Sequence, residues 1–186
     1  MKLGISGDIA SFSEEAAKIY SNLSKNEFKF SYYNDIDEVL FAVSKKEIEY
    51  GIFPIYNSKA GIVRNAFAAM GKFNFNFIET ITIKIEHNLI LKKDIELNEI
   101  NNIISHPQAF AQCENYLKKT FKNIKYIEEK NTALAGRKLS NGMYPENSAI
   151  IGHKNIAAVY NLKIKANKIQ DNPDNQTTFI IVENII

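Results

Sequence analysis

The chain has 186 residues and a mass of 21.2 kDa, which suits one compact domain or two small lobes. Apolar residues make up 45% and charged residues 24%, a mix that supports a sizeable core and excludes global disorder. The 23 basic and 21 acidic residues leave a net charge of +2 with no dense basic block, which argues against a dedicated nucleic-acid binder.

In chain order, Lys2–Ile5 reads as a short strand, and Gly7-Asp8-Ile9-Ala10 turns into a helix. Ser11 and Glu14 fit a capping box for that helix, whose periodicity runs through Leu23. A second strand, Phe28–Tyr32, precedes a helix over Asp35–Lys45 with Ile36, Val39, Leu40 and Val43 on one face. Tyr50–Ile55 is a buried strand that runs into the loop Asn57–Gly61 and a helix from Ile62 to about Met70. Phe77–Leu91 has the alternation of one long strand. Asn101–Ser105 is a strand, and Pro107 opens a helix through Leu117. Lys125–Ile127, a helix near Thr132–Ser140, the strand Ser148–Ile151 and a helix near Asn155–Tyr160 follow, and Thr177–Val182 is the last strand.

Repeated strand–loop–helix units predict an α/β fold, in which sites gather at the carboxyl ends of strands and helix N-termini attract anions. Gly7–Ser13, Asn57–Gly61 and Ser105–Gln108 fit that description. The single cysteine, Cys113, excludes an internal disulfide and a cysteine-rich zinc site. It reads as a buried apolar residue. His87, His106 and His153 share no metal-ligand spacing, and His106 before Pro107 fits a helix cap as well as a substrate contact. The start Met1–Asp8 breaks its apolar run too early for a secretory signal, and no apolar stretch reaches the roughly 18 to 20 residues of a membrane span. The expectation is a cytoplasmic protein without membrane or nucleic-acid partners.

Five segments, in order, resemble the catalytic domain of prephenate dehydratase. They are Gly7–Ala17, Tyr50–Gly61, His106–Cys113, Ala157–Leu162, and Asn167–Asp171 leading into Asn175-Gln176-Thr177-Thr178-Phe179. The resemblance covers essentially the whole chain. It implies a two-lobed α/β fold like a type 2 periplasmic binding protein, with substrate in a cleft between lobes. Lobe 1 is expected at about 1–76 plus 164–186, and lobe 2 at about 77–163. The resemblance further implies conversion of prephenate to phenylpyruvate, carbon dioxide and water, without a cofactor or metal, in a homodimer that lacks the regulatory ACT domain and the fused chorismate mutase.

By position in the family triplet Thr-Arg-Phe, the acid or hydrogen-bond donor to the leaving hydroxyl is Thr177. Ser11, Ser13, Asn57, Ser58, His106, Gln108 and Thr132 are the implied contacts of prephenate or a related dicarboxylate. Two positions depart from the family pattern. Thr178 stands where the triplet has arginine, and Tyr56 stands where the run Pro-Ile-Glu-Asn-Ser has its glutamate. Taken as the partner of a substrate carboxylate, the arginine would be worth about 2–5 kcal/mol. In the first loop, Ala10 replaces a second glycine. Arg64 and Arg137 are the sole arginines, so Lys168 and Arg137 are the candidate replacement cations. Two alternatives stay open on these residues: a non-aromatising prephenate decarboxylase, or a catalytically silent module that binds a small anion.

Overall fold

The computed structural model describes residues 1–185 and divides into two compact units. Unit 1 comprises Met1–Ile85 and the chain from Asn175 onward; unit 2 comprises Glu86–Asp174.

Unit 1 is built on β1 (Lys2–Ser6), α1 (Phe12–Ser24), β2 (Lys29–Tyr33), α2 (Ile36–Ser44), β3 (Tyr50–Asn57), β4 (Gly61–Ile62), α3 (Arg64–Met70) and β5 (Asn76–Lys84). The returning C-terminal strand is numbered β11 (Gln176–Glu183). Its sheet runs β2-β1-β3-β11-β5, with β4 paired to β3. β1 is parallel to β2 and β3, whereas β11 is antiparallel to both β3 and β5. Strand alternation sends Ile52, Phe179 and Ile181 to one face, where Ala16, Ala17 and Tyr20 of α1 cover them. Phe53, Ile180 and Val182 go to the other face, under Val39, Leu40 and Val43 of α2 and Ala66 and Ala69 of α3. The helix caps are local. Ser11 Oγ accepts from the Glu14 amide and Asp35 from the Glu38 amide. The Ser11–Glu14 box is displaced by one residue, because the Glu14 carboxylate reaches the Ala10 amide at 2.7 Å.

Unit 2 comprises β6 (Asn88–Leu91), a 3-10 turn at Leu97–Glu99, β7 (Asn102–Ser105), α4 (Pro107–Gln112), α5 (Glu114–Thr120), β8 (Lys125–Glu128), α6 (Thr132–Ser140), β9 (Ser148–Gly152), α7 (Lys154–Tyr160) and β10 (Lys163–Ala166). Its sheet order is β10-β6-β9-β7-β8, and every residue of the central β9 is buried. Leu89, Ile103, Ala149 and Ile151 pack with Ala109, Cys113 and Leu117. On α6, Gly136 abuts Ile156 of α7 and Ile150 of β9, and a Cβ at that glycine would collide with Ile156.

The expected lobe boundaries move from 76/77 and 163/164 to 85/86 and 174/175. The single strand expected over Phe77–Leu91 is two strands in different sheets: β5 pairs with β11, and β6 with β9 and β10. Continuous alternation hid the break at Glu86–His87, and β10, the strand that keeps residues 163–166 in unit 2, was not anticipated. The helix expected from Pro107 to Leu117 breaks at Cys113, where φ is −119° and ψ 17°. The Asp171 carboxylate accepts from the Asn115 and Tyr116 amides and so opens a new helix there. Gly136→Ala is expected to cost about 1–3 kcal/mol, because α6 must move off α7. A lowered denaturant midpoint with unchanged slope would show it; an unchanged midpoint would mean the helices can part freely.

Candidate functional site

The polar residues singled out in the sequence fall into separate clusters within the two units. In unit 1, β11 opposes the end of β3, with Thr177 across from Asn57 and Thr178 across from Tyr56. A bulge makes this so. Phe179 pairs with Pro54, leaving Ile55 as the extra residue between Pro54 and Tyr56. Strand side chains alternate faces, so without that residue Tyr56 would oppose Thr177. The bulge is what places Asn57 on the Thr177 face.

Asn57 is almost fully buried, and its amide is committed on both sides. Its Oδ1 accepts from the Lys59 and Ala60 amides at 3.0 and 2.9 Å, which fixes the orientation of the group. Its Nδ2 lies 2.9 Å from Asn175 Oδ1, Gln176 O and Thr177 Oγ1. Thr177 Oγ1 is therefore an acceptor toward Asn57, and its own proton is directed elsewhere. Ser58 Oγ accepts from the Gln176 amide at 2.9 Å, so this hydroxyl fastens the start of β11. Asn175, 1% exposed, was not singled out from sequence, although it stands two residues before Thr177. Its Nδ2 has no hydrogen-bond partner among the described residues. A buried donor left so costs about 1–3 kcal/mol.

Ser11 ends the first loop as the N-cap of α1, and Ser13, expected in that loop, is the second residue of the helix. The Ser11 hydroxyl is committed to capping α1, and both serine side chains lie beside Gly7. Ala10 sits at φ +67° and is completely buried, a left-handed conformation that glycine would occupy without strain. It is held by Glu14, whose carboxylate also accepts from the Tyr32 hydroxyl at 2.8 Å and pairs with Lys18 at 3.1 Å.

In unit 2, His106 is the N-cap of α4: its Nδ1 accepts from the Gln108 amide at 3.2 Å. That bond leaves the proton of the neutral ring on Nε2. Burial lowers the pKa of His106, opposed by Glu128. Gln108 is exposed in the first turn. Thr132 is the first residue of α6, after the N-cap Asn131, and rests on Gly152. The capping role of His106 thus has direct geometric support, and Gln108 stands free on the surface of the same turn. Lys168 pairs with Glu86 at 2.9 Å, and Arg137 lies in the last turn of α6, away from Thr132.

Cys113 is fully buried, and burial pushes its thiol up to about 12, so it is no thiolate nucleophile at neutral pH. Among the described residues, no group of three or more His, Cys, Asp or Glu side chains could hold a metal ion. No helix is long and apolar enough to cross a membrane, again among the described residues. His87 Nε2 is 2.8 Å from Gln112 Oε1, and burial lowers its pKa to about 4, with His153 adding repulsion. A histidine whose folded pKa lies below its usual value near 6.5 stabilises the fold above that value and withdraws the contribution as pH falls toward 4. His87→Gln is therefore expected to flatten the loss of thermal stability between pH 6.5 and 4; an unchanged slope would show that His87 does not titrate in that window.

The sequence pattern described as prephenate dehydratase matches residues 3–185. The prephenate dehydratase of Methanocaldococcus jannaschii is 34% identical over 92% of this chain and 60% of its own length. A structure of prephenate dehydratase with L-Phe from Arthrobacter aurescens has a TM-score of 0.90 at 26% identity, over the whole of this chain and 61% of that one. A lipoprotein structure from Bacillus subtilis, at 15% identity and a TM-score of 0.54 over 99% of this chain and 83% of its own, shares the fold. The expected α/β fold is thereby borne out. The chain spans about half the length of the curated relatives it matches.

Proposed function

Because the chain belongs to the prephenate dehydratase family, we propose that it converts prephenate to phenylpyruvate, carbon dioxide and water, with Thr177 as the donor to the departing oxygen. The observation that carries this reading is the 2.9 Å bond from Asn57 Nδ2 to Thr177 Oγ1. A hydroxyl that accepts from a fixed amide is oriented as a donor on its other side, without ionisation.

The reaction asks little beyond such a donor. The bond from the ring to its carboxylate breaks, and that electron pair enters the ring. The bond to the para oxygen then breaks, and the ring becomes aromatic. Oxygen leaves as hydroxide under a hydrogen bond from Thr177 and ends as water, with one proton taken up from solvent at neutral pH. Preorganised donors aimed at developing negative charge are effective because they need not reorient during the reaction. The Asn175 Nδ2 group is buried beside the same strand start, without a hydrogen-bond partner among the described residues.

A non-aromatising decarboxylase keeps the para hydroxyl and has no need of an oriented donor, so the Asn57–Thr177 bond favours dehydration. We further propose His106, Gln108 and Thr132 as substrate contacts, on the resemblance and on their places at helix starts. Incubation of the pure protein with prephenate is expected to yield phenylpyruvate above the spontaneous rate. Thr177→Ala should lower kcat about 10²-fold or more with a smaller change in KM, and Thr177→Ser should recover much of it. A dihydro product that keeps the hydroxyl, no product at all, or full activity in Thr177→Ala would each overturn the reading.

A further inference from the structure

The two departures from the family motifs, Tyr56 and Thr178, are far apart in sequence but directly opposite each other in the antiparallel ladder of β3 and β11. Thr178 is also directly opposite Thr82 of β5. The Thr178 and Thr82 hydroxyls are 2.9 Å apart. Tyr56, Thr178 and Thr82 thus form one rung across three adjacent strands. Both threonines are uncharged, and Tyr56 is 46% exposed at the end of the rung.

The neighbouring rung is Asn57, Thr177 and Ile83. Its side chains leave from the opposite face. Ile83 packs in the core under α1, and Asn57 bonds Thr177. Successive strand residues alternate faces, and here the alternation is documented by contacts on both rungs. Any side chain at position 178 therefore starts out on the face away from the Thr177 hydroxyl. The same holds for position 56 relative to Asn57.

We infer that Tyr56, Thr178 and Thr82 are a neutral cross-strand unit that fastens the strand carrying Thr177 and makes no contact with the substrate. Side chains directly opposite in a ladder interact, and a lone charge introduced there would have no partner. An acid and a base introduced together on this rung would leave the local charge unchanged. On this account the absence of the arginine removes no substrate contact, contrary to the cost assigned to it from sequence. These residues act as positioning residues: they hold β11 against β3 and β5, and act on the reaction only through Thr177.

The substrate clause rests on the proposed dehydratase reading; the coupling clause does not. The test is a cycle of Tyr56→Glu, Thr178→Arg and the double variant, read by thermal unfolding and by the KM for prephenate. The double variant is expected to unfold about 1–3 °C above the temperature that adding the two single shifts gives. KM is expected to stay within about threefold of the parent in all three variants. Should Thr178→Arg not fold, Thr178→Val, Thr82→Val and their double variant supply an equivalent cycle for the hydroxyl contact. Strictly additive shifts would overturn the coupling. A fall in KM of more than threefold in Thr178→Arg would overturn the face assignment. If the parent protein does not turn over prephenate, the dehydratase reading fails, while the unfolding cycle still decides the coupling.

Discussion

A primary amide has two protons and one carbonyl, and at Asn57 all of them are committed inside unit 1. The carbonyl oxygen is held by the Lys59 and Ala60 amides, and the nitrogen is shared among Asn175, Gln176 and Thr177. The side chain thereby joins the end of one strand to the start of another that lies more than a hundred residues away in sequence. Each such bond contributes only about 0.5–1.5 kcal/mol net, but leaving any of these buried groups unsatisfied costs more. The arrangement therefore defines one geometry for the Thr177 hydroxyl. It also gives Asn57, expected as a substrate contact, a direct hydrogen bond to the Thr177 hydroxyl.

That arrangement depends on one extra residue. The bulge at Ile55 resets the register of β3 against β11 and puts Asn57, rather than Tyr56, opposite Thr177. A bulge also explains why two adjacent residues of one motif serve different ends. Asn57 faces Thr177, and Tyr56 faces Thr178 and the solvent side. The side chains of Asn57 and Thr177 thus leave one face of the sheet, and those of Tyr56 and Thr178 the other.

Much of this was legible in the sequence, and what was not has physical causes. Capping by Ser11, the strand around Ile52 and Phe53, the helix with Val39 and Leu40, and Pro107 at a helix start each carry their signal within a few residues. Long-range pairing carries no such signal. The alternation of Ile81, Ile83 and Ile85 passes into Leu89 and Leu91 without a glycine or proline to interrupt it, so the step from one sheet to the other was invisible. The short β10 is polar and exposed at Lys163, and its strand character comes from pairing with β6. In the site, Thr177 and Asn57 could be named by resemblance, but their mutual bond could not. Asn175 was missed because a lone asparagine before a strand reads as turn chemistry until its neighbours are known. Tyr56 and Thr178 read as two separate losses because their opposition exists only in the folded ladder.

On the proposed dehydratase reading, Asn57 acts on the reaction by orienting Thr177. A double-mutant cycle of Asn57→Ala and Thr177→Ala, followed by kcat/KM for prephenate with folding checked by thermal unfolding, tests it most directly. The account expects strong non-additivity: once Thr177 is alanine, removal of the Asn57 amide costs less than about threefold further. Additive losses, with Asn57→Ala as damaging in the absence of the hydroxyl as in its presence, would contradict it.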